Sequence, residues 1–133
     1  MIDENSEKQR LDAITDKIIG AAISVHRVLG PGLLESAYEE CLCFELSQIG
    51  LAFERQVPLA IRYKDVMLEC GYRMDIVVEN SVIIEIKAVE RLIPVHEAQL
   101  LSYLKLAKLR VGLLMNFHVP ALKSGLKRIV NNF

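Results

Sequence analysis

The amino-acid sequence predicts an α/β (α+β) domain with a mixed central sheet flanked by helices. Three observations carry that prediction. Apolar residues recur at helical spacing through most of the chain up to Gly50, interrupted by Gly30-Pro31-Gly32. From Phe53 to Lys87 the apolar positions alternate instead, broken by Lys64-Asp65 and Glu79-Asn80-Ser81, which reads as an antiparallel meander. A third helical segment then separates this meander from a short apolar strand, Val111 to Phe117, and a helical crossover favours parallel pairing with a hairpin strand.

In order, the first helix runs from roughly Glu7 or Leu11 to Val28, with Leu11, Ile14, Ile18, Ala22, Val25 and Leu29 as its buried stripe. Residues 1–10 are expected to be a flexible extension and residues 11–133 one domain. Gly30-Pro31-Gly32 reads first as a helix-to-helix corner and second as a phosphate cradle. The second helix spans about Leu33 to Ile49, with Leu34, Tyr38, Cys41, Leu42, Leu46 and Ile49 facing inward. Glu35 falls in its first turn, where the helix dipole favours a carboxylate, and shares a side with Gly32 and Tyr38.

Phe53 to Tyr63 reads as a strand, and Pro58 marks it as an edge or a bulge. Val66 to Cys70 pairs back, and Gly71 opens the next strand at a place where a backbone or substrate can approach. The third helix runs from about Val95 to Leu106, with Leu100, Leu104 and Ala107 as its core stripe. His96, Gln99 and Tyr103 form a polar row on another side. Leu122 to Val130 fits either a helix or a last strand.

The composition, 52% hydrophobic and 25% charged, belongs to a globular chain. The polar, acid-rich start argues against a cleaved signal peptide. No apolar run approaches the ~20 residues that span a bilayer, so a soluble cytoplasmic protein with no membrane partner is expected. Cys41, Cys43 and Cys70 lack metal-site spacing and are expected as buried thiols. Eight basic and fifteen acidic residues give residues 1–86 a net −7, while eight against two give residues 87–133 a net +6. Lys105, Lys108, Arg110, Lys123, Lys127 and Arg128 thus form either a phosphate-facing surface or a rim balanced in space by the acidic half.

Chemistry concentrates in the stretch from Gly71 to Val89. If Val78 faces Val82 across a three-residue loop, the same register sets Asp75 opposite Glu85, with Cβ atoms ~5 Å apart. Two carboxylates in a greasy hairpin repel and lose solvation, a cost that a shared cation relieves. Lys87 follows Glu85 at strand spacing on the same face, while Ile84 and Ile86 point to the other.

Asp75 followed by Glu85-Ile86-Lys87 resembles the signature of the PD-(D/E)xK nuclease superfamily. Gly71-Tyr72-Arg73-Met74-Asp75 and Gln99-x-x-x-Tyr103 resemble its exonuclease-containing branch, and Gly32-Leu33-Leu34-Glu35-Ser36-Ala37-Tyr38 matches the motif that names the GxxExxY protein family. The resemblance spans about Leu11 to Val130. It implies a restriction-endonuclease-like core with the carboxylates at one sheet end. It also implies a nuclease in which Glu35, Asp75 and Glu85, helped by the Ile86 carbonyl, surround Mg²⁺ or Mn²⁺. Lys87 would position or deprotonate the attacking water and stabilise charge on the phosphate, with its electrostatic role favoured, and Gln99 and Tyr103 would orient Lys87 or the phosphate. Nucleic acid, DNA or RNA, is the implied substrate, and a homodimer would suit cutting of two strands.

Met74 replaces the proline of the superfamily signature, and the short chain leaves no separate recognition domain for sequence-specific cutting. With few aromatic residues for stacking, backbone contacts are expected to dominate binding. His26, His96 and His118 lack zinc-like spacing and read as helix-surface or loop residues. No nucleophile elbow or nucleotide-binding glycine loop is present. The rival reading is a non-catalytic nucleic-acid-binding or protein-assembly module that keeps the same fold.

Overall fold

Leu11, Ile14, Ile18, Ala22 and Val25 are all buried along one side of the first helix, α1 (Glu4–Leu29), as their spacing predicts. A computed structural model of the chain describes residues 3–132. Within it α1 starts earlier than its apolar stripe, so residues 4–10 are helical rather than a flexible extension; Met1 and Ile2 lie outside the described residues. Polar chemistry supplies the early start. The Asp3 carboxylate caps the Ser6 amide at 2.7 Å, Glu4 and Glu7 complement the helix dipole, and Arg110 clamps Glu4 at 2.7 and 3.0 Å.

The second helix, α2 (Glu35–Gln48), follows the Gly30-Pro31-Gly32 corner. Tyr38, Leu42 and Leu46 face inward as expected, but Leu34 and Ile49 lie outside the helix and are exposed, and Cys41 is half-buried. The buried side has rotated toward Glu39 and Cys43.

The sheet contains β1 (Phe53–Tyr63), β2 (Val66–Val78), β3 (Val82–Lys87), β4 (Val111–Asn116) and β5 (Leu126–Val130), in the spatial order β1-β2-β3-β4-β5. β1, β2 and β3 form the antiparallel meander, β3 and β4 are parallel across α3 (Pro94–Ala107), and β5 returns antiparallel. Pro58 sits on the edge strand, where its missing N–H costs nothing. The two segments expected on either side of Gly71 are one continuous strand, β2. Gly71 has a φ of +80° near a register shift between Leu59 and Ile61 on β1, and open space surrounds the place its Cβ would occupy. Backbone conformation, not close approach, therefore explains it. The tail combines a 3₁₀ turn over Leu122–Gly125 with β5.

Helices cover both faces. Ile76, Val78, Val82, Ile84, Ile86, Val111, Leu113 and Met115 pack with α1 and α2, while Val77, Ile83 and Leu114 pack with Leu100, Tyr103 and Leu104 of α3. Among the described residues no helix is long and apolar enough to cross a membrane.

Three other expectations change. Cys43 is buried but Cys70 is exposed. His26 is buried and its Nε2 lies 3.2 Å from the Phe117 carbonyl and 2.8 Å from that of Val119, tying α1 to the end of β4. Half of the acid-free run meets acids from elsewhere: Arg110 pairs with Glu4, Lys127 with Glu97, and Arg128 with Asp12. The spatially balanced reading holds for these three.

Candidate active site

The turn after β2 sets the register of the carboxylate hairpin. Glu79 and Asn80 both have a φ of +52°, and the Ser81 amide donates to the Val78 carbonyl at 2.9 Å, closing a tight turn of the handedness that suits twisted strands. Val78 faces Val82, Val77 faces Ile83 and Ile76 faces Ile84. Beyond that pair the regular ladder stops, and side chains take over. The Asp75 amide donates to Glu85 Oε2 at 2.9 Å, and the Ile86 amide donates to Asp75 Oδ2 at 2.8 Å.

Glu85 is 5% exposed on the α3 side of the sheet. Burial, and next the charge of Asp75, push its carboxyl up to about 8, against the Asp75 amide and the Lys87 charge, which favour the carboxylate. Asp75 is also raised, first by burial; the Ile86 amide opposes this, the nearby Glu39 charge adds to it, and Lys87 again opposes it. Lys87 thus acts on both carboxylates through its charge.

The segment carrying Lys87 is held from three sides. Its carbonyl accepts from the Phe117 amide at 2.9 Å. Two residues on, the buried Asn116 side chain accepts from the Val89 amide at 3.1 Å and donates to the Val89 carbonyl at 2.9 Å. Between them the Ala88 amide donates to Glu35 Oε2 at 3.2 Å. Gly125 makes room for this clamp, because a Cβ there would stand 2.2 Å from the Asn116 carbonyl oxygen.

The Gly-x-x-Glu-x-x-Tyr spacing has a direct geometric meaning. Tyr38 is stacked on Phe117 with ring centroids 4.5 Å apart. Its hydroxyl donates to the Gly30 carbonyl at 2.6 Å and accepts from the Leu33 amide at 3.1 Å. The tyrosine pins the glycine corner, and the corner sets where α2 begins. Glu35, the first residue of α2, is thereby aimed at the exit of β3.

Two participants were not singled out in the sequence, Glu39 and Gln56. Glu39 is buried and accepts from Arg55 Nε and Nη2 at 3.0 and 2.8 Å and from the Gln56 amide at 2.8 Å. The same Gln56 nitrogen lies 3.5 Å from Asp75 Oδ1. Gln56 has a φ of +50°, a conformation most side chains avoid, between the paired positions Arg55/Ile76 and Val57/Met74. The available signal was spacing: Glu39 lies four residues after Glu35, on the same side of the helix. Gln56 had no comparable signal.

On the opposite wall, Gln99 donates to the Tyr103 hydroxyl at 2.9 Å instead of reaching Lys87. Burial, and then the charge of Glu85, raise the Tyr103 phenol, so Tyr103 lies within electrostatic reach of the carboxylate pair. His96, the third member of that polar row, caps α3: its Nδ1 accepts from the Ile93 amide at 3.1 Å.

The expected cation set, Glu35, Asp75, Glu85 and the Ile86 carbonyl, comes to one end of β3 without closing into one ligand cluster. Among the described residues no three His, Cys, Asp or Glu side chains converge as a metal site. The reason is local. Asp75, Glu85 and Glu35 each turn an oxygen toward a backbone amide that would otherwise lack an acceptor. The donor chemistry still fits a hard cation: a buried carboxylate, Glu85, raised by burial and then by the charge of Asp75, beside the half-buried Asp75, itself raised first by burial, with a third carboxylate at the same strand end.

A mixed sheet covered by helices on both faces, with an acidic pair and a lysine where β2 and β3 part, defines a restriction-endonuclease-like domain. The family model of the PD-(D/E)XK nuclease superfamily matches residues 12–129, and the chain belongs to that superfamily. No curated protein and no solved structure gives a significant match.

Proposed function

We propose that this chain is a metal-dependent phosphodiesterase that hydrolyses nucleic acid by in-line attack of water, and that within its superfamily it stands with the GxxExxY proteins. The observation that carries this reading is the Asp75–Glu85 pair, bonded crosswise beside Lys87, with Glu85 buried and Asp75 half-buried. A scaffold gains nothing from clustered like charges, whereas a phosphoryl-transfer site needs them. Asp75 and Glu85, with Glu35 and the Ile86 carbonyl, would hold Mg²⁺ or Mn²⁺, which supplies water activation and charge neutralisation at phosphate. Lys87, held by the clamps on either side of it, offsets charge developing on the phosphate. Tyr103, bonded by Gln99 and within reach of the Glu85 charge, forms the wall on the α3 side.

Calorimetric titration of Mn²⁺ and Mg²⁺ into the wild-type chain and Asp75→Asn, with parallel cleavage assays on single- and double-stranded DNA and RNA, tests the reading. Metal binding and cleavage, both lost in the variant, are expected. No metal binding, even with nucleic acid present, would leave the non-catalytic module as the better account.

A further inference from the structure

Beside the carboxylate pair, between β1–β2 and α3, lies an open groove of about 720 Å³ lined by Ile61, Tyr72, Gln99, Ser102, Tyr103 and Lys105, among others. Its volume falls within the ~300–1,000 Å³ of small-molecule sites. Two residues relate it to the candidate active site. Tyr103 forms part of its floor while sensing the Glu85 charge, and Tyr72 stands three positions before Asp75 on the same strand. The Tyr72 and Tyr103 rings meet edge to face at 66°, with centroids 6.0 Å apart. Tyr103 is 5% exposed, but Tyr72 is 42% exposed, so the edge contact leaves much of the Tyr72 ring open to solvent.

We propose that this groove holds an unpaired nucleobase of the strand whose phosphate reaches Asp75, Glu85 and Lys87. The proposal rests on the nuclease reading and deepens it, by making a single-stranded segment of DNA or RNA the substrate. Tyr72 supplies the aromatic surface, and base stacking of this kind is tolerant of sequence. The groove also carries the groups that a base edge requires. The Tyr103 hydroxyl accepts from Gln99 and keeps its own proton to donate, and the Gln99 carbonyl oxygen and Ser102 hydroxyl complete a donor and acceptor set. Lys105 lies at the wall, in the stretch to Arg128 that contains no acid, and suits the phosphate attached to such a base. A duplex keeps its bases stacked and offers none to the groove.

The chain contains no tryptophan and four tyrosines, two of which, Tyr72 and Tyr103, line the groove, so the part of the tyrosine emission that Tyr72 variants remove reports on it. The test uses the full wild-type chain, Tyr72→Ala and Tyr72→Phe in EDTA, titrated with a DNA strand, an RNA strand, the same DNA strand made abasic, and a DNA duplex. Wild type is expected to bind the base-bearing strands with quenched emission, and the abasic strand about tenfold more weakly. Tyr72→Ala should lose about tenfold in affinity for base-bearing strands and nothing for duplex, which also shows that the variant is folded. Tyr72→Phe should keep the affinity while losing part of the quench. Equal binding of abasic and base-bearing strands, or unchanged affinity in Tyr72→Ala, would overturn the groove. Absence of single-strand binding by wild type would do the same. Because binding is read without metal, a wild-type chain that binds as described but cleaves nothing when Mg²⁺ or Mn²⁺ is added defeats the nuclease reading alone.

Discussion

Asp75 and Glu85 are bonded crosswise: the Asp75 amide donates to the Glu85 carboxylate at 2.9 Å, and the Asp75 carboxylate accepts from the Ile86 amide next to Glu85 at 2.8 Å. The two side chains replace the rungs that the ladder omits after Ile76 and Ile84. The acidic pair therefore closes the hairpin as well as forming the site.

That arrangement predicts a pH dependence. Glu85 titrates at about 8 in the fold and near 4.5 in the unfolded chain, raised first by burial and then by Asp75. Between these values the folded chain holds a proton that the unfolded chain has lost. The stabilisation is complete below the lower value and is lost as pH rises through the upper one. In metal-free protein, Tm should fall from about pH 5 to about pH 8.5, and Glu85→Gln should flatten that fall. Thermal melts across this window, in EDTA, check both.

Charge removal at the site should leave the fold and stop the chemistry. Asp75→Asn keeps an oxygen for the Ile86 amide, and Lys87 contributes through charge. Each variant, Asp75→Asn and Lys87→Ala, should reduce cleavage by ~10²-fold or more, the scale of losing one preorganised charge or donor. Single-turnover rates measure it. Full activity in both variants would mean that the site has been misplaced.

Tyr38→Phe should uncouple Glu35 from its strand. The hydroxyl serves both the Gly30 carbonyl and the Leu33 amide, so its loss should cost ~1 kcal/mol or somewhat more in urea unfolding. Cleavage should fall further than stability explains, because the glycine corner sets the start of α2.

Glu39→Ala should reach Asp75 without touching it. Removal of this buried acceptor leaves Arg55 with Glu40, 2.9 Å away, as its remaining partner and takes from Gln56 its shorter contact, at a cost of ~1–2 kcal/mol. It also removes a charge that raises Asp75, so the Asp75 carboxyl should titrate lower, a shift that carbon-detected NMR can follow.

Gly112→Ala probes the seam between β4 and α3. A Cβ at Gly112 would lie 2.9 Å from Leu100 Cδ1 in a closed core, so the variant should lose ~1–3 kcal/mol in denaturant unfolding.

The carboxylate hairpin was legible in the sequence because it is local. A three-residue loop and strict alternation set the register from Val78 and Val82, and the pairing of Asp75 with Glu85 follows from it. The same locality exposed Lys87 and the helical repeat of α1. Ends governed by distant partners were not legible. The early start of α1 depends on Arg110 reaching Glu4, and the exposure of Leu34 depends on where Tyr38 anchors the corner. Glu39 and Gln56 belong to successive elements of different periodicity, a helix and a strand, and only their meeting in space reveals them. The low aromatic content suggested little stacking, yet two of the four tyrosines are gathered at one groove beside the site.

The strands lie in space in the order in which the chain makes them, and only the β3–β4 step requires a crossover. Such topologies have short loops to close, which favours rapid folding. The pairing that unites Asp75 with Glu85 is among the shortest, so a nascent chain can bring its acidic pair together before α3 has emerged. The wall with Tyr103, and with it the groove, arrives later in synthesis. Assembly order alone thus separates a stage with exposed carboxylates from one that can receive a strand.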